Sequence, residues 1–152
     1  MRLVIIRHAK ANAHGPNGDI SRELAPRGHA QAAEASEFLR SANIQPDHAI
    51  VSTASRTTQT FEDLAIDCAT AFENSAYNAS PATLAELIRE APQDASCIAV
   101  VGHNPGVTEL AISCGYDKEM TTGSIVVVEW SGTPEDFGTA DVSIVNSFTP
   151  TS

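Results

Sequence analysis

The sequence predicts a three-layer α/β/α sandwich: a mostly parallel central sheet with an antiparallel C-terminal edge. Three observations carry this. Short unbroken apolar runs occur at Leu3–Ile6, Ala49–Val51 and Ile98–Val101, as expected of strands buried on both faces. Helical patterns lie between them, so successive strands need crossovers and run parallel. The C-terminal part changes character: "SIVVVEW" and "DVSIVNSF" are joined by the turn-rich "SGTPEDFGTA", the pattern of a hairpin or an added edge pair.

Each element follows in order. The first strand runs into Arg7 and His8. A helix from about Pro26 to Ala42 carries Ala32, Ala35, Phe38, Leu39 and Ala42 on one face. The second strand centres on Ala49–Val51. Phe61, Leu64, Ala65 and Cys68 keep i, i+3, i+4, i+7 spacing and predict a helix reaching Cys68. An extended piece lies near Ala71–Tyr77, and a helix through Leu84, Leu87, Ile88 and Ala91 follows it. Ile98–Val101 is the next strand, and Val107, Leu110, Ala111 and Cys114 predict the last helix. Ser80–Pro81 and Asn104–Pro105 each read as a capping residue followed by proline at the first helical position.

The chain has 152 residues, the size of one domain, taken as residues 1–152. It is 42% hydrophobic and 18% charged, an ordinary globular balance. No stretch approaches the roughly 18 apolar residues of a membrane span. The opening "MRLVIIRH" is too short an apolar run for a signal peptide, so a cytoplasmic location is expected. The three cysteines form no CxxC pair and read as reduced core thiols. A net charge of −10 argues against nonspecific nucleic-acid binding. With only nine basic residues, any convergence of several of them is informative.

In open α/β sheets ligands bind beyond the carboxyl ends of the strands, and four groups fall there. Arg7 and His8 end the first strand; Arg56 follows the second in "IVSTASRTTQT"; His103 ends the third long run in "CIAVVGHNPG". The helix after His103 is expected to add free N–H groups and a positive dipole end. Taken singly, each residue has a blander reading as a surface or strand-end group. Together they make a cationic pocket. Arginine's planar fork suits bidentate phosphate contact. Neutral imidazole is a nucleophile near neutral pH, and a backbone carbonyl can fix its second nitrogen. The pattern implies two-step phosphoryl transfer: a histidine attacks phosphorus, then water releases phosphate. His14, His29 and His48 read as solvated or structural, and Lys10 as a rim or surface charge.

"RHAKA", "DISRELAPRG", "VSTASRTTQT" and "VVGHNPG" together resemble the histidine phosphatase (phosphoglycerate mutase-like) superfamily, most closely its SixA-type phosphohistidine phosphatase subfamily. The resemblance covers almost the whole chain. It implies that His8 is the phospho-accepting nucleophile and that Arg7 and Arg56 bind phosphoryl oxygens. It further implies that His103 is a second, cationic pocket histidine, and that Arg22 is another phosphate contact. One letter departs from the family's Arg-His-Gly: Ala9 stands for glycine, with a methyl group expected to narrow backbone approach.

Residues 57–102 leave no room for a cap domain, so the pocket is expected to be open to a phosphorylated side chain on a protein. "AFENSAYNAS" offers no clear general acid, with Glu73 the nearest carboxylate. Phosphohistidine, whose leaving imidazole can take a proton from solvent, needs the least help. The expected substrate is therefore a phosphohistidine protein of the histidine-phosphotransfer or phosphotransferase-system type. A small phosphoester is the alternative, and a noncatalytic phosphate-binding module a further one. No cofactor or metal is expected, since HExxH, CxxC and HxH are all missing. A monomer is expected.

Overall fold

A computed structural model describes all residues, Met1–Ser152. Its strands are β1 (Arg2–Arg7), β2 (His48–Ser52), β3 (Ala69–Glu73), β4 (Cys97–Gly102), β5 (Ile125–Glu129) and β6 (Ser143–Phe148). Its α-helices are α1 (Pro26–Ser41), α2 (Ser55–Leu64), α3 (Pro81–Arg89) and α4 (Gly106–Ser113). The strands form one sheet in the order β3-β2-β4-β1-β5-β6. The first four strands are mutually parallel; β5 runs antiparallel to β1, and β6 antiparallel to β5. This is the expected sandwich with its antiparallel edge, and it has no cap domain.

The strict alternation of strand side chains divides the core in two. Leu3 and Ile5 of β1, Ile98 and Val100 of β4, and Val126 and Val128 of β5 pack with Leu84 and Ile88 of α3 and Val107 and Leu110 of α4. Val4, Ile6, Ala99, Val101, Ile125 and Val127 face the other way, onto Ala35 and Leu39 of α1 and Leu64 of α2. A strand buried on both faces needs apolar residues at every position, hence the unbroken runs. Each such fully buried side chain contributes about 1.5–3 kcal/mol.

Several element boundaries differ from expectation. The extended piece near Ala71–Tyr77 is β3 at Ala69–Glu73 followed by a 3₁₀ turn at Asn74–Ala76, and α3 stops at Arg89, before Ala91. α2 stops at Leu64: Ala65 takes the left-handed conformation at φ 56, so Cys68 lies outside the helix. The apolar spacing continued past the helix because Ile66 and Cys68 still face the same core. Ser80 caps α3 as expected, accepting from Thr83 N–H. α4, however, begins at Gly106, one residue late. Asn104 still serves it, its Oδ1 accepting from Thr108 N–H at 3.2 Å and Thr108 O–H at 2.7 Å. No helix is long and apolar enough to cross a membrane.

Candidate active site

Sheet register sets the two histidines together. Arg7 of β1 pairs with Gly102 of β4, so His8 and His103, the next residues, leave the sheet side by side. Their ring centroids are 5.4 Å apart, and His8 N–H donates to Gly102 O at 3.1 Å. On the far side of β4, β2 ends at Ser52, whose Oγ lies 2.7 Å from His103 Nε2. Arg56 occupies the first turn of α2 and is 4% exposed. Thus Arg7, His8, Arg56 and His103 collect at the carboxyl end of three adjacent strands.

The tautomer of His8 can be read from its partner. Its Nδ1 is 2.7 Å from Ala9 O. A carbonyl only accepts, so Nδ1 carries the hydrogen and Nε2 keeps its lone pair. The Ala9 peptide is itself held: its N–H donates to Thr60 Oγ1 at 3.0 Å, and the Thr60 hydroxyl donates to Arg56 O at 2.7 Å. Ala9 is fully buried and its methyl packs with Leu24 and Ala32. Its backbone is not left-handed. The substitution for glycine therefore fills a small apolar contact below the pocket.

Burial and positive neighbours disfavour charge on both imidazoles. His8 is pushed down to about 4, first by burial, with Arg56, Arg7 and Arg22 adding to the effect against the Ala9 carbonyl bond. His103 is pushed down to about 3 by burial, then by Arg56 and His8. This corrects the expectation of a cationic His103: among these protein groups it is neutral. A phosphoryl dianion would oppose that shift. Burial also lowers Arg7, against the pull of Glu119.

A titration checks this. In NMR spectra, His8 and His103 ring resonances should stay those of neutral imidazole from about pH 8 to about pH 5, where an unperturbed histidine near 6.5 has titrated. Both folded values lie below the unfolded one, so below about pH 6.5 the unfolded chain binds more protons. The associated stability is present above that pH and is lost as pH falls towards 4 and then 3.

Arg22 joins the site through a carboxylate that sequence reasoning missed. A 3₁₀ turn at Asp19–Ser21 places Asp19 against Arg22 Nη1 at 3.0 Å and Arg56 Nη2 at 3.0 Å. Tyr77 O–H also donates to Asp19 Oδ2. Those three donors hold the Asp19 carboxyl well below the usual range, Tyr77 first. The Tyr77 ring stands edge-on to His103 with centroids 5.4 Å apart, and Arg56 Cζ lies 5.9 Å from the Tyr77 centroid. Asp19 and Arg22 stand three apart in "DISR", a signal for a local ion pair. Nothing in the sequence marked Tyr77 or Ser52 as pocket residues.

Other residues fall elsewhere. Lys10 and His14 are exposed. His29 Nδ1 meets Asp63 at 2.6 Å, and His48 opens β2 far from the pocket. Glu73 ends β3 opposite Ser52 and is half-buried. The N-terminus of α4 offers fewer free amides than expected, with Gly106 N–H the one left without a protein acceptor. Val107 N–H already donates to His103 O at 3.0 Å and Thr108 N–H to Asn104.

Four buried side-chain polar atoms have no protein partner, and three belong here: Arg7 Nε, Arg56 Nε and His103 Nδ1. An unsatisfied buried donor costs about 1–3 kcal/mol. The two arginine Nε–H donors, beside two neutral imidazoles, mark a place for a compact multivalent acceptor such as a phosphoryl group.

The fold and this pocket define an α/β domain with paired histidines and arginines at its strand ends. A family model described as the histidine phosphatase superfamily (branch 1) matches residues 3–75. The uncharacterized protein Rv1276c of Mycobacterium tuberculosis is 36% identical over 107 residues, covering 70% of this chain and 68% of that protein. The uncharacterized protein ML1117 of Mycobacterium leprae is 28% identical over 114 residues, covering 71% and 70%. The chain belongs to the histidine phosphatase superfamily. Its fold is shared with a candidate SixA phosphohistidine phosphatase from Nakamurella multipartitia (TM-score 0.92, 24% identity, 99% of this chain and 96% of that one). It is likewise shared with the protein histidine phosphatase SixA in complex with tungstate (TM-score 0.79, 20% identity, 99% and 97%).

Proposed function

We propose that this protein is a phosphatase that hydrolyses protein phosphohistidine through a phosphorylated His8. The observation that carries the reading is the His8 Nδ1–H bond to Ala9 O, which leaves Nε2 unprotonated in a pocket with two unsatisfied arginine donors. In the first step Nε2 forms a bond to phosphorus while the substrate P–N bond breaks; the leaving imidazole takes its proton from solvent. Arg7, Arg56 and His103 stabilise charge on the equatorial oxygens, with Arg22 at the rim. Water then attacks phosphorus, the Nε2–P bond breaks, and phosphate leaves with the proton from water passed to solvent. No cofactor takes part in these steps.

Two features support phosphohistidine over an alkyl ester. The absence of a cap domain leaves the pocket open to a side chain presented by a protein. Asp19, the carboxylate tied into the pocket, is held ionised by its three donors, so it suits a leaving group that needs no proton from the enzyme. A small phosphomonoester would call on another acid, and Glu73 stands at the same end of the sheet. The partner proposed is a histidine-phosphotransfer or phosphotransferase-system protein, with the enzyme acting as a monomer in the cytoplasm. The test is a rate comparison between a phosphohistidine carrier protein and sugar phosphates or phosphoglycerates. The carrier is expected to turn over faster; much faster turnover of the esters overturns the substrate assignment.

A further inference from the structure

We infer that Asp19 is the positioning residue of the pocket, fixing the Arg56 guanidinium so that its Nε–H is turned to the phosphoryl group. This rests on the reading of the pocket as a phosphoryl site and goes beyond it by assigning a residue outside the arginine–histidine set.

The geometry is specific. Asp19 uses two different acceptors on the two terminal nitrogens of Arg56. Its backbone carbonyl takes Nη1 at 2.8 Å and its carboxylate Oδ2 takes Nη2 at 3.0 Å. The outer edge of the guanidinium is thereby anchored to one residue at both ends. Arg56 Nε is shut away from solvent and has no protein acceptor. A planar guanidinium gripped at both ends of one edge cannot rotate without losing both bonds. The directions of Nε–H and of the second N–H on each terminal nitrogen are therefore set by Asp19.

Asp19 extends the same control to Arg22 and Tyr77. Arg22 gives Nη1 to Asp19 Oδ1 and Nε to Asn12 O at 2.7 Å, so two of its nitrogens are also tied. The Tyr77 phenol bonds Asp19 while its ring stands against His103. One carboxylate thus connects the turn at Asp19–Ser21, the start of α2 and the segment after β3. The Asp19 side chain is 47% exposed and that of Arg56 only 5%: a surface anion anchors a buried cation.

A carboxylate so close to an anion pocket has a second physical effect, and the two effects have opposite signs. By charge alone, removing Asp19 would strengthen anion binding a few-fold. By positioning, removing it frees Arg56 and weakens binding, and a misplacement of about 1 Å can cost about a hundredfold in rate.

The experiment measures inorganic phosphate and tungstate binding by calorimetry to the full chain and its Asp19→Asn variant. Thermal melting of both establishes that the variant is folded. Dissociation constants are expected to rise about tenfold or more, and the phosphate-induced shift of the Arg56 Nε–H resonance to disappear. Tyr77→Phe, which removes one of the donors to Asp19, should move affinity in the same direction by less, and serves if Asp19→Asn does not fold. Unchanged or tighter binding in Asp19→Asn overturns the inference, as does a persistent Nε–H shift. Absence of phosphate binding by the unaltered chain would instead overturn the phosphoryl-site reading, so the two failures are separable.

Discussion

His8→Ala should leave no phosphoenzyme and lower turnover by at least about 10⁴-fold, as removal of a nucleophile does in other covalent enzymes. Four residues of β1, Leu3 to Ile6, are wholly buried, so the strand cannot slide, and its next two residues emerge at a fixed place. Nδ1–H is committed to Ala9 O, and the Ala9 N–H is tied through Thr60 to α2. The alanine variant removes the ring and keeps this backbone scaffold. The strand, the sheet and the partner His103 remain, so the variant should melt close to the unaltered protein. The phosphoenzyme is an N-phosphoryl imidazole: acid-labile and base-stable. Trapping with radiolabelled substrate after rapid quench into alkali should label the unaltered chain and spare the variant. Full turnover by the folded variant would refute His8 as nucleophile.

Gly28→Ala should lower stability by about 3 kcal/mol, a fall in Tm of roughly 6–12 °C at this chain length. Gly28 lies in the first turn of α1 and is buried. A Cβ there would sit 2.0 Å from Lys10 O and 2.9 Å from Lys10 C. Both are backbone atoms of the segment that leaves β1 just beyond His8, and they are held: Lys10 O accepts Ala25 N–H at 3.0 Å, and Lys10 N–H donates to Gln31 Oε1 at 2.9 Å. Relief of the clash would push α1 away or shift the segment carrying the Ala9 carbonyl. Activity of the folded fraction should therefore fall too, with the His8 ring no longer held in its tautomer. Thermal melting and phosphoenzyme yield, measured together, check both effects. A variant that melts normally would show that α1 can retreat at little cost.

The same segment explains why "LAPRG" reads as a motif. Pro26 starts the helix, Leu24 packs against Ala9, and Gly28 lets the helix approach the β1 exit. "RTTQT" is explained in the same way. Arg56 enters the pocket, Thr57 O–H donates to Ser52 O at 2.7 Å, Gln59 Oε1 accepts from Leu24 N–H at 2.7 Å, and Thr60 supports Ala9. These four letters are hydrogen bonds to neighbouring segments, which spacing along one helix cannot reveal, while Thr58 O–H donates to Ser55 O within α2.

What the sequence by itself determined is whatever depends on neighbours along the chain. Unbroken apolar runs specify strands buried on both faces, Ser80–Pro81 a helix start, and the order of runs and helices a parallel sheet with strand ends on one side. That ordering was enough to bring Arg7, His8, Arg56 and His103 to one edge. Only the tertiary structure decided what depends on distance and burial. It placed Asp19 between Arg22, Arg56 and Tyr77 and used the Val107 and Thr108 amides of α4 within the chain. It also left His103 neutral, because burial and Arg56 act on it from elements remote in sequence. Ala9 shows the division at a single residue. Its departure from glycine was visible in the sequence, but its consequence was not, since the atoms that receive the methyl come from Leu24 and Ala32, brought to it only by the packing of α1 beside the end of β1.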